Sequence, residues 1–213
     1  MTAVASALLS LHGAEPQQEP FPWYQLNGTF GAPLADELEA TFPADGFAAV
    51  SRPDGEKSYE MWVRQLCPPV PEATTDLPPA WAALTRYVTS PTFAAAVGEL
   101  TGLPVADAAV EVNLWRYTAG CWLAPHLDKP EKIVTVVCYL NRDWPTGEGG
   151  ELLLLNSARA DDVARRVAPL LDTGVILVRG NRSWHAVDGM RDNPRERRSV
   201  QVVFNRPVRE AAC

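Results

Sequence analysis

Apolar and polar positions follow two different periods along the chain, helical in the first half and strand-like in the second. Residues 1 to about 20 sustain neither period and are expected to form a weakly ordered leader. The segment Pro22 to Leu26 reads as a first strand ending at Asn27-Gly28. Pro33 suits a first helical position, and Leu34, Leu38 and Phe42 recur every fourth residue before Pro43 stops the pattern. Asp36, Glu37 and Glu39 are expected where the dipole of that helix favours carboxylates. Residues 58–66 (SYEMWVRQL) read as a strand, and the proline-rich stretch Pro68 to Pro79 as a loop. Two short helices follow, one with the apolar face Trp81, Leu84 and Val88, the other with Phe93, Val97 and Leu100, closed by Gly102.

From there the period becomes two, with strands expected at about 109–117, 132–140, 150–155, 174–179, 184–188 and 197–205. Helices first and strands afterwards imply one sheet system backed by helices, in a single domain over residues 21–213. Composition agrees: 46% apolar residues can bury one core, and 19 Pro with seven Trp disfavour an all-helical bundle. A net charge of -7 argues against a nucleic-acid partner, which requires a positive docking face. There is no Lys or Arg before Arg52, so a basic signal region is missing, and no apolar run has membrane-spanning length. A cytoplasmic protein without a membrane partner is expected. Cys67, Cys121, Cys138 and Cys213 lack a paired spacing, which favours neither a disulfide framework nor a zinc clip.

Candidate chemistry starts from the three histidines, His12, His126 and His185. In His126-Leu127-Asp128 the two polar side chains project to one side of an extended chain and can converge on one ion. His185 follows an apolar strand, Val175 to Val178, and a Gly-Asn turn. Two imidazoles and one carboxylate suit non-haem Fe(II) with positions left open, whereas a structural zinc would need a fourth ligand. Alternation in the last strand puts Arg197, Ser199 and Gln201 on one face and Arg198, Val200, Val202 and Phe204 on the other. A guanidinium with a hydroxyl two residues on can hold a carboxylate. Glu111, Asn113, Trp115 and Tyr117 likewise share a face and are candidates for a substrate wall. Each element also has a bland reading: a surface histidine at a strand start, or a solvated sheet face.

Taken in order, Tyr117, His126-x-Asp128, the run Tyr139 to Trp144 (YLNRDW), Gly149-Gly150-Glu151-Leu152, His185 and Arg197-x-Ser199 resemble the iron(II)/2-oxoglutarate-dependent oxygenases of the prolyl 4-hydroxylase-like branch. The likeness extends over most of residues 21–206. It implies a mainly β fold with flanking helices: a double-stranded β-helix, jelly-roll and cupin-like, of two antiparallel sheets. It further implies His126, Asp128 and His185 as catalytic iron ligands, with Arg197, Ser199, Tyr139 and Tyr117 binding 2-oxoglutarate. The spacing of His185 and Arg197 is longer than in the closest prolyl hydroxylases, so Arg195 and Arg198 remain alternative anchors. Asp128 speaks against a halogenase, because related halogenases replace that carboxylate with a small residue to admit chloride.

The cofactors implied are Fe(II), 2-oxoglutarate as co-substrate and O2, with ascorbate as a stimulant. A chain of this length has little surface left over for docking a protein, so the expected substrate is a small molecule, bounded by Glu111, Asn113 and Trp115 and hydroxylated or oxidatively cyclised. The acidic balance points to a neutral or cationic substrate. Sixteen Arg against three Lys, with abundant Ala and Pro, fit bacterial natural-product biosynthesis of an aminoglycoside or amino-acid-derived antibiotic. The alternatives are a protein or peptide prolyl hydroxylase, and a non-catalytic metal-binding β-barrel that senses a ligand.

Overall fold

The computed structural model describes residues 8–54, 57–69 and 77–207. Short strands β1 (Glu15–Gln17) and β2 (Trp23–Asn27) lead into helix α1 (Ala32–Ala40). Strands β3 (Ala48–Arg52) and β4 (Tyr59–Cys67) precede helices α2 (Pro79–Val88) and α3 (Pro91–Thr101). The remainder is strand: β5 (Ala109–Tyr117), β6 (Trp122–His126), β7 (Lys132–Tyr139) and β8 (Leu152–Leu155). Then come β9 (Val163–Val167), β10 (Thr173–Val178), β11 (His185–Val187) and β12 (Arg197–Asn205). No helix among the described residues is long and apolar enough to cross a membrane.

The twelve strands of the described residues join one curled antiparallel sheet in the order β1-β2-β10-β7-β12-β5-β4-β6-β11-β8-β9, with β3 on β4. Strand β4 makes the fold a barrel, because it pairs with β5 along most of its length and with β6 at its start. The sheet therefore bends back on itself, and Val137, Val175 and Leu177 of one half meet Leu152, Leu154 and Val167 of the other. This is the jelly-roll, double-stranded β-helix that the resemblance implies.

The helices cover the outer face of the larger half. Val134, Val136 and Cys138 of β7, with Val200, Val202 and Phe204 of β12, pack against Leu38, Trp81, Leu84, Phe93 and Val97. Strand β7 is buried on both faces, which is why its sequence is a continuous apolar run instead of a clean alternation. Helix α3 shows its stop and start signals: the Ser90 hydroxyl accepts from Phe93 N at 3.3 Å, and Gly102 caps the far end at φ 69°.

Three sequence expectations are corrected. The leader is packed where it is described, since Leu9 is buried in the main core and β1 pairs with β2; apolar Leu8, Leu9 and Leu11 have a core to reach. Residues 1–7 lie outside the described residues. The first turn of α1 holds no acidic residue; Asp36 and Glu39 instead pair with the exposed Arg142 at 2.9 and 3.1 Å. Strands β1, β3, β6 and β9 were not expected: β6 contains Pro125, and β9 exposes Ala164, Arg165 and Arg166, so neither shows the period of a half-buried strand.

The paired glycines of the Gly149-Gly150 motif have a steric cause. Both adopt φ near +70° (74° and 71°); a Cβ on Gly149 would run into the Gly189 carbonyl, and one on Gly150 into Met190 and Trp144. Gly28 has a similar φ of +63° but open space around it. Gly149→Ala is expected to lose about 2 to 4 kcal/mol in denaturant unfolding and Gly28→Ala only about 1 kcal/mol, the difference being the clash. Equal losses would reduce Gly149 to a matter of backbone conformation.

Candidate metal centre

The inward face of the barrel carries a cavity of about 270 Å³. His126 ends β6 and His185 begins β11, and the antiparallel register sets these two residues directly opposite each other. Their ring centroids are 4.2 Å apart. Asp128, two residues beyond β6, completes a buried trio whose ligand atoms all lie within 4.8 Å of one another. His12 is exposed and takes no part.

Each ring is aimed by a backbone carbonyl. His126 Nδ1 lies 3.0 Å from Ala124 O and His185 Nδ1 lies 2.9 Å from Ser183 O. A carbonyl only accepts, so both Nδ1 atoms carry the proton and both Nε2 lone pairs are free for an ion. Burial, and for His126 the facing His185, push both imidazoles below their ordinary pKa, which keeps them in the neutral form a metal requires. Burial works against ionising Asp128, but His185 and Lys132 outweigh it and hold the carboxyl below the usual range. Lys132 Nζ donates to Asp128 Oδ1 at 2.7 Å and Thr135 Oγ1 to Oδ2 at 3.2 Å. The donor set, two neutral nitrogens and one carboxylate, fits a ferrous ion with open positions.

The other end of the cavity is built by β12, β7 and β5. Register aligns Ser199 with Tyr139 and Arg197 with Tyr117. The Arg197 guanidinium sits 5.0 Å from the Tyr117 ring centroid and 5.1 Å from that of Tyr139, and donates to Ser199 Oγ at 3.2 Å. Among the described residues, Arg197 Nε and the Tyr139 hydroxyl are buried without a hydrogen-bond partner. Burial raises both tyrosines to about 12 against the opposing pull of Arg197, so their hydroxyls stay protonated. Unsatisfied buried donors around a lone guanidinium cost free energy until an acceptor arrives. A carboxylate of 2-oxoglutarate is such an acceptor.

The neighbouring arginines are otherwise engaged. Arg195 pairs with Asp143 at 3.1 Å on the surface, while Arg198 pairs with Glu196 at 2.9 Å and lies over the Phe42 ring on the outer face. Asn141 of the YLNRDW run holds the entry to β12 in register: its Nδ2 donates to Glu196 O at 2.6 Å and its Oδ1 accepts from Arg198 N at 3.0 Å. Only Arg197 of the three faces the cavity.

Of the proposed substrate wall, Trp115 lines the cavity and donates its Nε1–H to Gln201 Oε1 at 3.0 Å. Asn113 and Glu111 are on the same face but off the lining, bonded to each other at 2.6 Å. Trp122 donates to Ser58 at 3.2 Å and Trp184 packs on Leu155 and Ala186, so both are structural. Sequence reasoning missed Lys57, Lys132 and Thr135, as well as the apolar Tyr59, Met61 and Leu123, all in the lining. The i,i+4 spacing of Asp128 and Lys132 was the one available signal.

Residues 112–205 match the family model of the 2OG-Fe(II) oxygenase superfamily. No curated protein matches the chain. Among solved structures, a Pseudomonas putida prolyl-4-hydroxylase is similar at 23% identity and TM-score 0.58, over 87% of this chain and 92% of that one. A Trichoplax adhaerens prolyl hydroxylase, solved with a hypoxia inducible factor peptide fragment, is similar at 15% identity and TM-score 0.57, over 86% and 83%. The epimerase SnoN from nogalamycin biosynthesis is similar at 15% identity and TM-score 0.58, over 89% and 82%. These likenesses show the fold. The family match runs from β5 to β12, the strands that carry the histidine–carboxylate trio and Arg197, and with the shared fold it supports an iron- and 2-oxoglutarate-dependent dioxygenase of prolyl 4-hydroxylase-like architecture.

Proposed function

We propose that the enzyme oxidises a small molecule, by hydroxylation or oxidative ring closure, within bacterial antibiotic biosynthesis in the cytoplasm. In this reading His126, Asp128 and His185 hold the iron, and Arg197, Ser199, Tyr139 and Tyr117 hold 2-oxoglutarate. The observation that carries it is a three-ligand cluster and a guanidinium with an unpartnered Nε, both facing one cavity. Thr135, which touches Asp128, and Tyr139, which flanks Arg197, are four residues apart on β7, about 13 Å of strand. A dianion can therefore engage both ends without either displacing the other.

When bound, iron supplies the redox chemistry that consumes O2 and converts 2-oxoglutarate to succinate. The protein contributes position. Arg197 and the Tyr139 hydroxyl orient the distal carboxylate, and the carbonyls of Ala124 and Ser183 keep both imidazole rings turned inward. Met61, Leu123 and Val187 add apolar wall to the same cavity, which disfavours water there. Support for a small substrate comes from size: about 270 Å³ has to accommodate co-substrate and substrate together. The likeness to SnoN supports a place in antibiotic biosynthesis.

A prolyl hydroxylase acting on a protein or peptide is the second reading, supported by the fold likeness to the P. putida enzyme. Succinate release stimulated by a proline-rich peptide, and by no small molecule, would favour it.

Two outcomes test the assignment. Oxygen-free addition of Fe(II) and 2-oxoglutarate should produce a weak visible charge-transfer band, and His126→Ala, Asp128→Ala and His185→Ala should each abolish it. Arg197→Ala should weaken 2-oxoglutarate binding by about 2 to 4 kcal/mol in a titration followed by the same band, whereas Arg195→Ala and Arg198→Ala should leave it within about twofold. Full affinity in the Arg197 variant would move the anchor elsewhere.

A further inference from the structure

The chain contains only three lysines, Lys57, Lys129 and Lys132, and two of them face the cavity. The charged groups of the lining are Lys57, Lys132, Arg197 and Asp128: three cations to one carboxylate in a protein whose net charge is -7. Adding a divalent cation and a dianionic co-substrate leaves that local excess unchanged. Two of the three cations have work already. Arg197 is stacked between tyrosines at the co-substrate end, and Lys132 is bound to Asp128 at 2.7 Å.

Lys57 is the cation left over. Among the described residues its ammonium makes no hydrogen bond and no ion pair, although the side chain is half-buried. Its place is set by the fold: the next residue, Ser58, accepts from Ala124 N at 2.9 Å through its carbonyl and from Trp122 Nε1 at 3.2 Å through its hydroxyl. Both partners are on β6, two and four residues before His126. The same cavity lining includes the largely apolar Val50, Tyr59, Met61, Leu123 and Trp115. An ammonium at the edge of an apolar compartment, facing like charges, is a receptor for one anionic group on an otherwise apolar body.

We infer that the substrate of this site carries a carboxylate and that Lys57 receives it, with the apolar remainder against Tyr59, Met61 and Leu123. Burial and the nearby Lys132 lower the Lys57 pKa to about 8, so the amine is still mainly charged at neutral pH and an anion would relieve both penalties. The inference rests on the oxygenase reading of the same cavity. It deepens that reading by replacing the neutral or cationic substrate expected from overall charge with an acidic one.

The test uses the oxygen-free protein saturated with Fe(II) and 2-oxoglutarate, with three probes of one shape: phenylacetate, phenylacetamide and 2-phenylethylamine. A saturable shift of the charge-transfer band reports occupancy of the substrate compartment, and loss of the band reports displacement of the co-substrate. Phenylacetate should shift the band with at least about tenfold higher affinity than the amide, and the amine should be weakest. Lys57→Met should bring acid and amide within about twofold, and Lys57→Arg should restore the preference. An acid that binds no better than the amide, that only displaces 2-oxoglutarate, or that keeps its preference in Lys57→Met overturns the inference while the band itself upholds the oxygenase reading. A wild-type protein that forms no band overturns both.

Discussion

The antiparallel pairing of β6 with β11, which sets His126 opposite His185, is the constraint on which the site depends. The two histidines lie on different sides of a long excursion through β7 to β10, and nothing local brings them together. Pairing does so through backbone hydrogen bonds, and the carbonyls of Ala124 and Ser183 then fix which ring nitrogen faces inward. Because side-chain direction alternates, a slip of one residue would turn one imidazole out of the barrel. The register is protected by the apolar contacts of β11 on both sides: Val187 packs with Met61 and Tyr117, Ala186 with Leu153 and Leu155.

A second alignment, between β12 and β7, is held differently. Arg197 must enter the cavity while Arg198 stays out, and a loop with Arg195 directly before the strand offers competing registers. The motif YLNRDW resolves that competition. Asn141 bonds to the backbone on both sides of Arg197, and Asp143 draws Arg195 to the surface. Trp144 Nε1 donates to Gly149 O at 2.8 Å, tying this run to the glycine pair packed against Gly189. Motif residues that touch no ligand thus act on the position of one guanidinium.

Most of this was legible in the sequence where one physical pressure dominated. Strands β5, β7 and β12 showed themselves because one or both faces are core, and His126-x-Asp128 because the spacing of two is itself the geometry. The parity of Arg197 and Ser199 was readable for the same reason. Strands β3, β6 and β9 were hidden: their residues are exposed or half-buried, and Pro125 disguises β6. Asn113 and Glu111 shared the right face but stand too far along β5, a distance that alternation does not encode. Lys57 could not be found from sequence, because its place beside His126 follows from β4 crossing to β6 more than sixty residues away in the chain.

The same limit applies to charge. A net charge of -7 is a property of the whole surface, and in physiological salt its field is screened within about 8 Å. It therefore influences how a charged substrate approaches and says little about what the substrate meets inside. Within the cavity the walls are apolar protein, the effective dielectric constant is lower, and a charge a few ångströms away outweighs many on the far surface. Lys57, Lys132 and Arg197 outnumber Asp128 there, three positive charges to one negative. Selectivity of the contact and sign of the protein are thus independent quantities in this fold, and only the first follows from the arrangement of strands around His126, Asp128 and His185.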